Sequence, residues 1–365
     1  MKNIAVFFGG VSVEHDVSVI TGVMTLNSLD RLKYNPVPVF VSNKGEWFTG
    51  EILFDLDNYK ALDQKKLKRV TFFAGENVLY SVKKNKLKAV ADIAVAINCM
   101  HGERGEDGAL AGLTAMCKIP LASPNMLASS VCMDKSFTKT VLSGLKVKAL
   151  PSYYLEKEEQ LLSLPKKLTY PLIVKPNRLG SSVGINVAED EKQLKSAFRY
   201  AKRFGEGAII EPCLTGFKEI NCAAYRRADG KITVSECEQP IGRTEILSFN
   251  DKYKGGKRVF PADIEEKFSN KIKETTLKVY SALGCSGVIR IDYFIKGEEI
   301  YLNEINTVPG SLAHYLFVET MKDFSLMLDD LIAVAEVNFA KESTLVTKNH
   351  TDILSGVGSK GAKRN

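Results

Sequence analysis

At 365 residues the chain is longer than one ordinary hydrophobic core needs. Its 45% hydrophobic and 25% charged fractions predict two or three soluble domains, and no run approaches the roughly 18 apolar residues of a membrane span. A net charge of +7 suits anionic ligands, but there is no arginine-rich helix or basic-aromatic interleave, which argues against nucleic acid as a partner. Seven scattered cysteines, without a Cys-x-x-Cys pair or a His-Cys cluster, point to reduced thiols in a cytoplasm and away from zinc.

In chain order, residues 3–8 (NIAVFF) read as a buried strand closed by Gly9 and Gly10; the segment turns polar too early for a signal peptide. Residues 12–29 read as a helix with Ser12 as its N-cap, and 35–43 (NPVPVFVSN) as a second strand, the opening of an α/β domain. Residues 51–90 are Lys-rich and weakly patterned, so an irregular excursion is expected there. AVADIAVAINCM (89–100) supplies another strand, HGERGEDG a loop, and 109–118 a helix. MDKSFTKTVLSGL is read as one helix ending near Gly144. A new unit begins around Leu150-Pro151, with a charged helix after SYYLEK and a strand in YPLIVKPN. A third part starts near AIIEPCL, and the polar tail from Thr347 is expected to be disordered.

Two segments carry chemistry. In 288–306 (VIRIDYFIKGEEIYLNEIN) two alternating runs flank the polar turn KGEE, the pattern of a β-hairpin. Side chains two apart share a face, so Arg290 and Asp292 share one, as do Glu304 and Asn306. With a three-residue turn, Asp292 lies opposite Glu304 and Arg290 opposite Asn306. Facing carboxylates repel unless a cation joins them, and Asp, Glu and Asn oxygens suit Mg²⁺, which usually arrives with nucleotide phosphates. The plainer alternative is a solvated polar face. The second segment, LIVKPNRLGSSVG, delivers Lys175 from a strand into a Gly/Ser loop (180–184) whose N–H groups and hydroxyls could cradle phosphate. Alone, such a loop is equally a plain turn; beside the carboxylate hairpin it gains weight. It is neither a Walker A sequence nor a GxGxxG.

GGVSVEHDVS, HGERGEDGALAG, MDK, VKPNRLGSSVG, FNDKY, GVIRIDYF and NEINTVPG follow one another in one order. From about residue 3 to about 335 this resembles the D-alanine–D-alanine ligase family of ATP-grasp enzymes. The resemblance implies an α/β, three-domain ATP-grasp architecture: 1–124 as an open α/β domain holding the first amino-acid site, 125–210 and 211–346 as two α+β lobes that clamp ATP, and 347–365 as a flexible tail. It implies that Lys135, Lys175, Ser181, Ser182 and Lys252 hold ATP phosphates, with Glu211 and Glu219 at the adenine and ribose end. Asp292, Glu304 and Asn306 would bind Mg²⁺, normally two ions, for which Mn²⁺ can substitute. Arg290 and the N–H of Gly310 would stabilise a tetrahedral oxyanion. Tyr253, Ser181 and Glu14 would form a hydrogen-bonded triad, Glu14 also holding the first substrate's ammonium. His101 would line the amino-acid pocket, and Tyr315 and Leu316 the second site.

The implied activity is ATP-dependent ligation of two D-alanines through an acyl phosphate for peptidoglycan precursor synthesis, by a cytoplasmic homodimer. Ligation with D-serine or D-lactate in the second position, or of other amino acids, is the alternative; a nucleotide-binding protein without catalysis is a more distant one. D-lactate is disfavoured because relatives with that preference lack the loop tyrosine matched by Tyr253. The chain departs from the pattern in three places. Gly216-Phe217-Lys218-Glu219 stands for Gly-x-Glu, FNDKY runs directly into KGGKRVFPADI, and Tyr315 stands where a carboxylate-binding serine is expected.

Overall fold

The computed structural model describes residues 1–84, 86–166, 168–241, 257–347 and 355. Lys252, Tyr253 and nearly all of the tail beyond 347 lie outside the described residues. Lys2–Gly9 runs through the middle of an eight-stranded sheet, parallel to Tyr34–Val41 on one side and to Val95–Asn98 on the other. Its residues are apolar without alternation because both faces are covered. Ile4, Val6 and Phe8 pack under the helix His15–Ser28, whereas Ala5 and Phe7 join Val37, Val39 and Leu110 on the opposite face.

Several local expectations change here. Helix His15–Ser28 has Glu14, not Ser12, at its N-cap position. Ser12 instead closes the preceding turn, its hydroxyl accepting from the Glu14 N–H at 3.1 Å and its carbonyl from His15 N–H at 3.2 Å. That turn directs Glu14 inward, where it is only 4% exposed. Residues 51–90 are not irregular. After three short 3₁₀ turns, the strands Lys68–Thr71, Val78–Lys83 and Lys86–Asp92 extend the sheet edge antiparallel through Trp47–Thr49. The pattern was faint because few side chains, such as Val70 and Leu79, are buried, and the last strand is almost wholly exposed.

Within MDKSFTKTVLSGL the expected helix forms as Lys135–Gly144. Met126–Met133 ends at Asp134, whose carboxylate then caps Lys135–Gly144 by accepting from Ser136 and Phe137 N–H. The charged helix expected after SYYLEK is a six-residue 3₁₀ segment, Glu158–Ser163. The longer helix Glu191–Ala201, absent from the sequence reading, packs Leu194, Ala197 and Phe198 against a four-stranded sheet built around Leu172–Pro176 and Ala208–Pro212.

A second four-stranded sheet has the order Ile232–Val234, Lys218–Arg226, Val288–Lys296, Glu299–Asn306. Ile220, Cys222, Ile289, Ile291 and Tyr293 face the helix Glu266–Ala282, which buries Phe268, Ile272 and Val279 against them. No disulfide joins any of the seven cysteines. Among the described residues, no helix is long and apolar enough to cross a membrane.

The helix Met321–Ser343 returns to the first sheet. Phe324, Leu328 and Leu331 share one core with Ile4, Val6 and Phe8, and that core also takes in Tyr225 and Val288 from the last sheet. Lys33–Asp329, at 2.6 Å, adds an exposed ion pair of small expected value. Leu328 is fully buried, so Leu328→Ala should cost about 2–5 kcal/mol through lost transfer energy and a residual cavity. Urea unfolding measures this; a shift well below about 1 kcal/mol would mean that the helix does not lock the two sheets together.

Candidate active site

The hairpin of residues 288–306 forms with the expected opposition: Asp292 pairs with Glu304 and Arg290 with Asn306. The route differs from the expected three-residue turn. Lys296 pairs with Glu299, leaving a two-residue turn, and a bulge between the Asp292 and Tyr293 pairings takes up Asn303. As a result both Asn303 and Glu304 line the cleft. Lys218–Arg226 adds Asn221 beside Asp292, giving a row Asn221–Asp292–Glu304 across three strands.

Repulsion within that row is relieved in part without a metal. Arg290 folds along its own strand and binds Asp292 with both carboxylate oxygens, Nε to Oδ1 at 2.7 Å and Nη2 to Oδ2 at 3.0 Å. The amide of Asn306 donates to Asp292 Oδ2 at 3.2 Å. A cation is therefore not the only explanation for this polar face.

Between the two four-stranded sheets lies a cleft with about 690 Å³ of open space. One wall is apolar, with Ile173, Leu214, and Phe217 against Phe294 at 4.5 Å between ring centroids; the other presents Lys135, Lys175, Glu211, Glu219 and Glu304. Ser182 lines it too. Ser181 and Ser182 both have left-handed backbones, φ 53° and 57°, an arrangement that turns successive N–H groups toward one point and is costly for residues with a Cβ. Lys135 begins its helix and donates to the Leu179 carbonyl at 2.6 Å, tying the two lysine-bearing segments together. Burial pulls its ammonium pKa down, and the nearby Lys175 charge adds to that.

Glu211 is 1% exposed and sits between two ammonium groups, Lys175 at 2.8 Å and Lys139 on the other oxygen. Burial alone would raise its pKa, but the two lysines outweigh it and hold the carboxyl at about 2. Lys139 did not stand out in the sequence. Its spacing from Lys135 places it on the same helical face, the one signal that could have found it.

A second polar group beside the cleft is assembled from distant segments. Ser181 donates to Glu14 Oε1, so two members of the expected triad meet; the third, Tyr253, lies outside the described residues. Room for Glu14 comes from two glycines. A Cβ on Gly180 would stand 3.2 Å from its oxygens, and one on Gly102 (φ +74°) would collide with Ser12 Oγ at 2.3 Å.

Thr21 and Glu106 were both missed by sequence reasoning. Thr21 Oγ1 accepts from Ser311 N–H at 3.0 Å and is hydrogen-bonded to His101 Nε2, also at 3.0 Å. This holds the turn after Gly310, where Ser311, Leu312 and Ala313 are all left-handed. Glu106 accepts from Gly102 N–H at 2.8 Å and Val308 N–H at 3.0 Å, joining the HGERGEDG loop to the segment after the hairpin. Burial first, and then the Glu14 carboxylate, push its pKa well up.

Tyr315, expected at the second substrate, lies under the Arg258 guanidinium, 5.0 Å from its ring centroid, and the Arg290 charge acts on its hydroxyl. Leu316 is 3% exposed and belongs to the core shared with the first sheet.

An α/β domain followed by two four-stranded sheets that line a common cleft is the ATP-grasp architecture of the solved ligases that this chain resembles. Its segments match two family models, described as "D-ala D-ala ligase N-terminus" over residues 3–124 and "D-ala D-ala ligase C-terminus" over 147–335. The chain belongs to the D-alanine–D-alanine ligase family. It is 37% identical to a D-alanine–D-alanine ligase of Thermosipho melanesiensis over 97% of its own length and 98% of the relative's. Among solved structures, that of D-Alanine-D-Alanine Ligase from Helicobacter pylori superposes with a TM-score of 0.76 at 28% identity, covering 92% of this chain and 98% of that one. The VanG D-Ala:D-Ser ligase from Enterococcus faecalis gives 0.79 at 28% identity, covering 92% and 99%.

His101 is 3% exposed, and burial, reinforced by the Arg290 charge, lowers its pKa to about 4. The folded protein thus binds fewer protons than the unfolded chain between pH 6.5 and 4. Stability from the neutral imidazole is complete above that window and is lost as pH falls through it. Glu106, with its raised pKa, acts with the opposite sign, so the difference between wild type and His101→Asn isolates the histidine. From pH 7 to 5 that difference should move against the wild type by about 1–2 kcal/mol. A pH-independent difference in urea unfolding would mean that His101 is not held neutral.

Proposed function

We propose that this protein uses ATP to join two D-alanines into D-alanyl-D-alanine, the peptidoglycan precursor dipeptide. The observation that carries the reading is the convergence on one cleft of Lys135, Lys175, Ser182 and Glu304, with Asp292 opposite Glu304 on the adjoining strand and Glu14 bonded to Ser181 beside it. Family membership supports the substrate pair.

In this mechanism the apolar wall around Phe217 and Phe294 takes the adenine, and Glu219 accepts from ribose hydroxyls, with Glu211 fixed nearby. Lys135, Lys175, Lys252 and the serine loop hold the phosphates. Glu14 binds the ammonium of the first D-alanine and orients its carboxylate toward the γ-phosphorus. An oxygen–phosphorus bond forms, ADP leaves, and an acyl phosphate results. The second amine then attacks the acyl carbon and loses a proton; Arg290 and the Gly310 N–H stabilise the oxyanion, and phosphate departs. By family resemblance, Lys252 and Tyr253, which lie outside the described residues, would help exclude water that would otherwise hydrolyse the acyl phosphate.

The site suits magnesium. Asp292, Glu304 and Asn306 offer oxygen donors only, a set that also accepts Mn²⁺. Among the described residues, no three His, Cys, Asp or Glu side chains are grouped to hold an ion by themselves. By family resemblance Asp292, Glu304 and Asn306 would hold two ions together with ATP. When bound, the metal would neutralise charge on the phosphates.

The three sheets support the three units 1–124, 125–210 and 211–346, with the second boundary moved past Pro212, because Ala208–Pro212 pairs wholly within the central sheet. A cytoplasmic homodimer is part of the same reading, and light scattering should return twice the monomer mass.

Glu304→Gln should nearly abolish turnover in a phosphate-release assay. Wild-type activity in excess chelator would remove the metal from the mechanism. Lys175→Ala should weaken ATP binding by about tenfold or more in calorimetry, since a charge-assisted phosphate contact is worth about 1.5–3 kcal/mol. It should also uncover the second ammonium on Glu211, and unchanged ATP affinity would reduce the loop to an ordinary turn. Arg290→Ala should lower kcat by about 10²-fold with a smaller change in KM; a pure KM effect would assign Arg290 to ground-state binding.

A further inference from the structure

We propose that Arg258, together with the hydroxyl of Tyr315, anchors the carboxylate of the second amino acid, a task the family pattern gives to a serine. The inference rests on the ligase reading and deepens it at the second site.

Arg258 lies in the short strand Lys257–Val259, which pairs with Gln239–Ile241. Its guanidinium sits over the Tyr315 ring, 5.0 Å from the centroid. Nη1 donates to Glu238 Oε1 at 3.1 Å and lies 3.5 Å from the Tyr315 carbonyl. Among the described residues Nε and Nη2 make no hydrogen bond, and the side chain is 42% exposed. One edge of the fork is therefore committed and the other is open.

The committed edge is firmly held. Glu238 is 4% exposed, its other oxygen accepts from Asn221 at 3.2 Å, and its backbone exchanges two hydrogen bonds with Asn221. Asn221 is the strand neighbour of Asp292. Arg258 is thus positioned relative to the catalytic row through Glu238 and Asn221, without touching that row. Holding a guanidinium before the ligand arrives lowers the entropy cost of binding.

Tyr315 supplies the second contact. The Arg290 charge acts on its hydroxyl. A guanidinium has no acceptor, so the phenol proton is not spent on it and remains to give. Burial raises the phenol pKa, which keeps that proton in place. A carboxylate receiving the Tyr315 proton would lie near the open edge of Arg258 while its amine approaches the Arg290 side, where the acyl carbon is read. A serine could reach a carboxylate unaided; a ring stacked by an arginine brings a charge as well.

The test is a competition in one mixture. D-Alanine and D-alaninamide are supplied together at equal concentration with ATP and magnesium, and D-alanyl-D-alanine and D-alanyl-D-alaninamide are quantified by mass. The amide lacks the carboxylate and should not use Arg258. In Arg258→Met the ratio of dipeptide to dipeptide amide should fall at least tenfold relative to wild type, with Arg258→Lys in between. Tyr315→Phe should lower it in the same direction. Because both products come from one enzyme sample, a purely structural role would reduce them together and leave the ratio unchanged; that result overturns the proposal. Wild-type enzyme making neither product would defeat the ligase reading itself, and is distinguishable from a wild type whose two products form in a ratio that Arg258 does not affect.

Discussion

One strand, Val288–Lys296, sets the terms for the rest of the molecule. Alternation sends Ile289, Ile291 and Tyr293 under the helix Glu266–Ala282, and Arg290, Asp292 and Phe294 toward the cleft. A slip of one residue would press a guanidinium and a carboxylate into the apolar core under that helix and turn three large apolar side chains onto the polar face. Register is therefore specified by the core, and the chemistry inherits it. Asn221, Asp292 and Glu304 align only because their strands are locked by the apolar face behind them.

Charges inside such a site need partners, since burying an ion alone is costly. Each described buried carboxylate at the cleft has a cation or donors at hand. Asp292 has Arg290, Glu211 has Lys175 and Lys139, Glu238 has Arg258, and Asp134 has Arg178 at 2.8 Å. These pairs hold the side chains in place before any ligand arrives, and ATP would exchange some of them for phosphate contacts. The same pairing explains why Lys175 points into the cleft while Glu211 stays ionised.

The first domain and the catalytic sheet are joined by more than chain connectivity. The helix Met321–Ser343 puts both in one core, Glu106 bonds the HGERGEDG loop to Val308, and Thr21 holds the strained turn at Ser311. Glu14 and Ser311, far apart in sequence, are thereby fixed in one rigid neighbourhood by packing rather than by sequence proximity.

The sequence by itself determined the elements whose information is local. Period-two alternation specified the catalytic hairpin and the opposition of Asp292 and Glu304, even though a bulge and a shorter turn replaced the expected loop. The order of the glycine-rich, lysine and carboxylate segments was enough for the family resemblance. Where patterning was faint, as in the half-exposed strands of 68–92, the local signal failed. Tertiary structure alone decided the partners of Glu211, the bonds of Glu106 to a residue 202 positions away, and the stacking of Arg258 on Tyr315. The physical reason is that backbone geometry couples neighbours two to four residues apart, whereas the worth of a charge or hydroxyl depends on burial and on groups that only folding brings near.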